Sequence, residues 1–438
     1  MTFRSARAFS MMGTRPLAVL VLAGGTLAGC AAVDSVNTLI GRDPILPGER
    51  QPLMPTADVG GQSAVGGVSI GGASANADWS QPGGTASNNP GHLAYSGGGW
   101  RTSIPTAGRR SARPVATPVV DNGLVYVYGN DASLSAHSLS NGGRAWSVSL
   151  RPEGERAVPG GGVAAAGGRV FAATGYGTLQ ALDGASGGVI WTTEIDTPLR
   201  SAPTVADGRV YVTDASNTIH AFSTSDGSEL WSFDAIPEND GSLSGTSPAV
   251  SGGTVIVPSI TGQIIALNAA NGEPRWADNL VRGNRNVAGS SITDVAGRPA
   301  IDGGTVYAVG TGGRMVASRL SDGERLWSQD ISGLHQPIVS GNTVFVVDTQ
   351  DRALALDKAS GAPRWIVQLP SERQAWAGPL LAGNRLWVGS TDGALLALDP
   401  ATGQTVETQD LREAVYTSPI AAGGRIIVLG GRGTLAAL

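Results

Sequence analysis

The chain has 438 residues, enough for two or three ordinary domains, but only 15% are charged, against roughly 25% in typical soluble domains. Its 64 glycines supply turns rather than helices, which favours an all-β protein with many tight corners. A net charge of -5 gives no basic footprint, so no nucleic-acid partner is expected.

At the N-terminus, Arg4, Arg7 and Arg15 precede the apolar run from Leu17 to Leu22, and Leu27-Ala28-Gly29-Cys30 follows. That order of charged region, apolar region and small-residue cleavage site predicts an export signal over residues 1–29. The run is too short and Gly-broken for a membrane span. Leu-Ala-Gly-Cys resembles the lipobox of bacterial lipoproteins, which implies lipidation of Cys30; the plainer alternative is a secretory signal with a chance cysteine. Acyl chains add about 0.8 kcal/mol per buried methylene, so a multiply acylated Cys30 would hold the protein at a membrane. Ala31 follows where an Asp would resemble an inner-membrane retention signal, and the resemblance therefore implies the periplasmic face of the outer membrane. Cys30 is also the only cysteine, which excludes an internal disulfide framework and a thiolate-rich metal site within one chain.

Residues 30–90 are rich in Gly, Ser, Ala, Asn and Pro with little apolar periodicity, and are expected to form a flexible tether. Trp79, in Asp78-Trp79-Ser80-Gln81, interrupts that composition and is expected to dock on the following domain.

From residue 91 to 438 the chain repeats. Ala181-Leu182-Asp183-Gly184-Ala185-Ser186-Gly187 before Trp191 recurs before Trp231, Trp276 and Trp365, and more loosely before Trp146 and Trp327. A seventh copy puts Glu407 in the Trp position, and successive positions are 38 to 51 residues apart. Each unit begins at a Pro (118, 203, 248, 299, 337, 379 and 419), with Val163 in the equivalent place of one unit. A Pro lacks the ladder amide and belongs at a strand's first residue. A β-branched strand, an Asp-Gly hairpin such as Asp392-Gly393, the Ala-Leu-Asp strand and the Trp strand complete the unit. Four antiparallel strands per period mark a β-propeller blade, here eight of them in one domain over 91–438.

The eighth unit stops at Leu438 before its Trp strand, while Gly91 to Trp100 stands upstream as an orphan of the missing length. The N-terminal strand is therefore expected to close the last blade. The regular recurrence of Trp predicts seam packing rather than a ligand cage.

Catalytic signals are absent from the pattern. His92, His137, His220 and His335 have no acid or second His at metal-ligand spacing, no nucleophile-elbow context stands out around a serine, and Gly430-Gly431-Arg432-Gly433 lacks the Lys of a phosphate loop. No catalytic residue, metal or cofactor is predicted.

The repeats over about 91–438 resemble those of pyrroloquinoline-quinone (PQQ) type β-propellers. Two classes compete in that superfamily: quinoprotein dehydrogenases, and BamB-like lipoproteins of the BAM machinery that inserts outer-membrane β-barrel proteins. With only Cys30 the chain cannot form the vicinal disulfide typical of quinoprotein alcohol dehydrogenases, and it has no Cys-x-x-Cys-His haem site. The lipobox and eight units resemble the BamB-like class. That resemblance implies a non-catalytic scaffold binding the periplasmic POTRA domains of the barrel insertase, with unfolded outer-membrane substrates as a second kind of partner. Leu199-Arg200-Ser201-Ala202-Pro203 is similar to one partner-contacting loop of the family. Ile292-Thr293-Asp294-Val295 is similar to a second, with Ala296 replacing its second acid. The resemblance so implies partner contacts at Leu199, Arg200 and Asp294. Two alternatives stay open: a quinoprotein-like enzyme with calcium ligands at the ring centre, and a polysaccharide-binding propeller with an exposed aromatic platform.

Overall fold

The structure is a computed structural model that describes residues 66–104, 116–235, 246–281, 295, 297–370 and 374–438. The signal segment, Cys30 and Asp294 lie outside the described residues.

Eight four-stranded antiparallel sheets form the blades of a β-propeller. Blades 1 to 7 span residues 119–149, 161–194, 204–234, 249–279, 300–329, 338–368 and 376–410. Blade 8 combines Ile420–Ala422, Arg425–Leu429 and Thr434–Ala437 with Trp100–Ser103 as its outer strand. Trp100 pairs with Ala437, in the register that places Trp191 opposite Ala181 in blade 2. The closure expected from the repeat count is thus present, and it leaves the last sheet with no missing strand.

Burial follows strand position. Inner strands such as Val119–Asp121 start one residue after their Pro and are buried, whereas outer strands such as Val189–Glu194 alternate exposed and half-buried residues. In blades 1 to 7 the pairing of the outer strand slips by one residue just beyond the Ala opposite the Trp position, a bulge that bends the outer strand. The extra residue faces outward, which places Ile190, Leu230, Leu326 and Val406 among the exposed apolar side chains.

The core lies in the seams between blades. Trp146 donates from Nε1 to the Gly184 carbonyl at 2.9 Å, from blade 1 into blade 2. Trp100, Trp191, Trp231, Trp276, Trp327 and Trp365 repeat that bond to Leu139, Thr224, Ala269, Leu320, Lys358 and Pro400. Each such bond adds about 1 kcal/mol net, beyond the ring's own burial. The receiving turn must present a glycine: Gly187 has φ +74, and a Cβ there would stand 2.7 Å from the Trp146 ring. The seam reading of the Trp residues therefore holds.

Glu407 breaks the series for a topological reason. Blade 8 is made from two ends of the chain, so it has no hairpin turn between its last two strands to receive a Trp ring. Tyr95 enters instead, packing edge-on against Trp387 at 5.6 Å between centroids, while Glu407 pairs with Arg385. In five other blades the aromatic residue equivalent to Trp387 meets its own blade's Trp.

Candidate functional site

The antiparallel order sorts the loops. Connections from an outer strand to the next inner strand share one rim with the turns joining second and third strands; the remaining turns occupy the opposite rim. Residues 195–203 lie on the first rim. There Leu199 is fully buried, packed in the seam of blades 2 and 3 with Leu179, Val205 and Val212. Its amide donates to the Thr174 carbonyl at 3.2 Å. This corrects the expectation that Leu199 offers a partner an apolar anchor: a side chain already packed between blades has no surface to give. Arg200 is half-buried on the same loop, and its backbone is pinned by Thr213 at 3.0 Å and by the Gly161 amide at 3.2 Å. Leu199 thus holds the loop that presents Arg200. Beyond Asp294, Val295 is fully buried and its carbonyl accepts from Thr246 Oγ1 at 3.1 Å.

The ring axis holds what the sequence hid. Residues 66–90 are not a free tether; with residues 91–96 they run across the inner strands and bond to every blade. Trp79 exchanges both backbone bonds with Val120 of blade 1 at 2.8 Å. The Ala165 amide of blade 2 donates to Ser80. In blade 3 the Gln81 carboxamide replaces a strand, donating to the Val205 carbonyl at 3.1 Å and accepting from its amide at 3.0 Å. Val250 of blade 4 and Ile301 of blade 5 donate to Ala86 and Ser87. Asn89 accepts from Val339 of blade 6, Leu93 bonds Leu381 and Gly383 of blade 7, and Asn76 bonds Ala421 and Gly423 of blade 8. Inner strands present unpaired edge amides to the axis, and buried edge groups require partners. The polar, Gly-rich composition read as disorder is what a strand-like filler of a narrow channel needs. The docking expected of Trp79 is present: it is 4% exposed.

Beneath this segment, at the starts of the inner strands, stand Thr117, Gly162, Ala202, Ser247, Arg298, Gln336, Gly378 and Ser418, one per blade. Gln336 donates to the Gly83 and Asn88 carbonyls of the axial segment. Arg298, from blade 5, reaches across to Thr117 of blade 1, Nη2 to Oγ1 at 3.1 Å. Its Nε is buried without a partner, and burial draws its pKa down to about 10. His335, within electrostatic reach of Arg298, has its pKa drawn down to about 4, first by burial and also by that cation. Arg298 was not singled out in the sequence, although it is the one charged residue among the eight strand-start positions.

His220 bonds Glu229 at 2.9 Å and lies 3.5 Å from Asp214. Burial opposes its ionisation, but the hydrogen bonds and charges of both acids outweigh that and raise its pKa. His137 is buried and bonded to Ser135 and Gly142, and His92 bonds Gly71 and Asn384. No group of His, Cys, Asp or Glu among the described residues could hold a metal. Calcium takes oxygen ligands rich in carboxylates, and the strand-start ring offers hydroxyls, an amide and a guanidinium, so it does not fit a calcium-quinone pair. No aromatic ring is among the exposed large apolar side chains of the described residues.

These features define the class: an eight-bladed propeller of PQQ-like repeats with its axis filled by its own chain. Residues 130–367 and 368–438 match the sequence profile of the family described as Outer membrane protein assembly factor BamB, and the chain belongs to that family. The protein of that name from Moranella endobia is 24% identical over 327 residues, 73% of this chain and 84% of the relative. That from Nitrosomonas eutropha is 27% identical over 222 residues, 51% of this chain and 53% of the relative, so that alignment spans only about half the relative's length. In fold, the chain is similar to the crystal structure of BamB from Moraxella catarrhalis, with a TM-score of 0.64 at 20% identity, covering 72% of this chain and 94% of that one. A quinohemoprotein alcohol dehydrogenase from Comamonas testosteroni gives the same TM-score at 14% identity over 83% of this chain and 81% of that one. Fold likeness at that level does not separate scaffold from enzyme.

Proposed function

We propose that this protein is a non-catalytic scaffold lipoprotein of the machinery that assembles outer-membrane β-barrel proteins, anchored through Cys30 at the periplasmic face of the outer membrane. Its partner is the barrel insertase, bound through periplasmic POTRA domains on the rim that carries residues 195–203. Arg200 is the contacting residue in this reading, because a guanidinium fork on a pinned loop pairs with a carboxylate at little entropic cost. Leu199 holds that loop from within, and Asp294 belongs to the second contact. The observation that carries the reading is the family match over residues 130–438, whose relatives are named as assembly factors. The ring-centre donor set, wrong for calcium, supports a scaffold over an enzyme.

The test is a crosslinked pull-down of the native chain from membranes, with partner identification by mass spectrometry and an absorbance scan for quinone. Recovery of the barrel insertase without quinone, reduced by Arg200→Glu in a folded variant, is the expected result. Bound quinone with no insertase would overturn the reading. Cys30→Ser should release the protein from the membrane fraction.

A further inference from the structure

The strand-start ring contains a charge with no counter-charge. The residue before the Pro that opens each unit, or before Val163 in blade 2, is small or neutral in seven blades and is Arg298 in blade 5. The ring is tight: a Cβ on Gly162 would stand 2.6 Å from the Ala202 side chain. Ser247 Oγ donates to the Ala202 carbonyl, and Gln336 is turned to the axial segment. Arg298 spends one of its five N–H donors on the neutral hydroxyl of Thr117, and among the described residues no carboxylate pairs with it and its Nε has no partner. Yet the residue as a whole is only half-buried. Arg364 and Arg352, by contrast, pair with Asp357 and Asp348.

We propose that Arg298 is a carboxylate-binding site on the ring axis, filled from outside the chain through the rim that also carries Arg200. The ligand chemistry is one planar carboxylate, matched by the fork of a guanidinium. Its two sources are a free small organic acid and an acidic group of a bound protein. The site is independent of the assembly reading, since a free acid would bind whether or not the chain scaffolds an insertase.

The test uses the full chain. Thermal unfolding is followed with succinate and citrate, against sulfate and chloride at equal ionic strength, for wild type, Arg298→Met, Arg298→Lys and Thr117→Val. A free acid gives wild type a saturable upward shift in Tm that Arg298→Met loses, that Arg298→Lys reduces at least about tenfold in affinity, and that Thr117→Val keeps. An acidic group of a bound protein gives no such shift but a several-fold loss of crosslinked partner in Arg298→Met, in a preparation with wild-type circular dichroism. If Arg298→Met fails to fold, Arg298→Lys and Thr117→Val carry the comparison. The proposal is overturned if wild type shows neither effect, or if the arginine variants respond to the acids as wild type does. Arg298 would then be only a strut to Thr117.

Discussion

Gln81→Ala tests the axial segment most directly. The Gln81 carboxamide is 3% exposed and makes two hydrogen bonds to Val205, itself 7% exposed. Truncation leaves one buried amide and one buried carbonyl of the inner strand unsatisfied. Each costs about 1–3 kcal/mol, so the loss is about 2–6 kcal/mol, smaller if water enters the vacated space. Urea unfolding followed by Trp fluorescence measures it as a lower midpoint. Gln81→Met keeps the length but not the bonds and should lose a similar amount. Thr85→Ala, at an exposed position of the same segment where the hydroxyl accepts the Asn89 amide and bonds Ser87, should cost less, about 0.5–1 kcal/mol. If Gln81→Ala or Gln81→Met matches Thr85→Ala, the segment does not act as a ninth partner of the inner strands and the argument fails.

Hydrogen exchange should find the amides of Val120, Ala165, Val205, Val250 and Ile301 slow, since they donate to the segment; fast exchange there would return residues 66–90 to a tether. Gly187→Ala places a Cβ against the Trp146 ring at φ +74 and should cost about 2–4 kcal/mol in urea unfolding; a cost below about 1 would contradict the seam packing. His220 makes stability pH-dependent. Its folded pKa is raised, so its contribution is full below about pH 6.5 and falls as pH rises through the folded value, and His220→Gln should abolish that decline. His335 acts in the opposite sense: with its folded pKa drawn down to about 4, stability drops as pH falls from about 6.5 towards 4, and His335→Leu should flatten that limb of the pH profile.

Much of the ring was legible because it is periodic. The Pro, Asp-Gly and Trp landmarks return at a near-constant spacing, and each reports a local requirement: a missing amide, a positive φ, a seam to fill. The orphan ending in Trp100 could be joined to Leu438 because one blade lacked one strand. Residues 66–90 read as part of a tether for the opposite reason. Gln81, Asn88 and Asn89 pair with backbone groups 124 to 250 residues away, and nothing local in Gly-Ser-Asn sequence distinguishes a segment satisfied by distant edges from one satisfied by water. Arg298 carried a signal, being charged at a position where seven repeats are not, but only superposing the repeats reveals it.

Leu199 divides the two kinds of information most sharply. A Leu-Arg pair before a strand start can be read as an exposed anchor or a buried support, and period and composition are the same for both. The sequence by itself determined the number of blades, the order of strands within each and the place where the ring closes, because those follow from hydrogen-bonding and turn rules that act over a few residues. Only the tertiary structure decided that the axis is filled by the chain's own segment, that Leu199 lies in a seam, and that Arg298 faces Thr117 from the opposite blade. Those facts depend on which groups are brought together when the ring closes, and burial at the axis is a property of all eight blades at once.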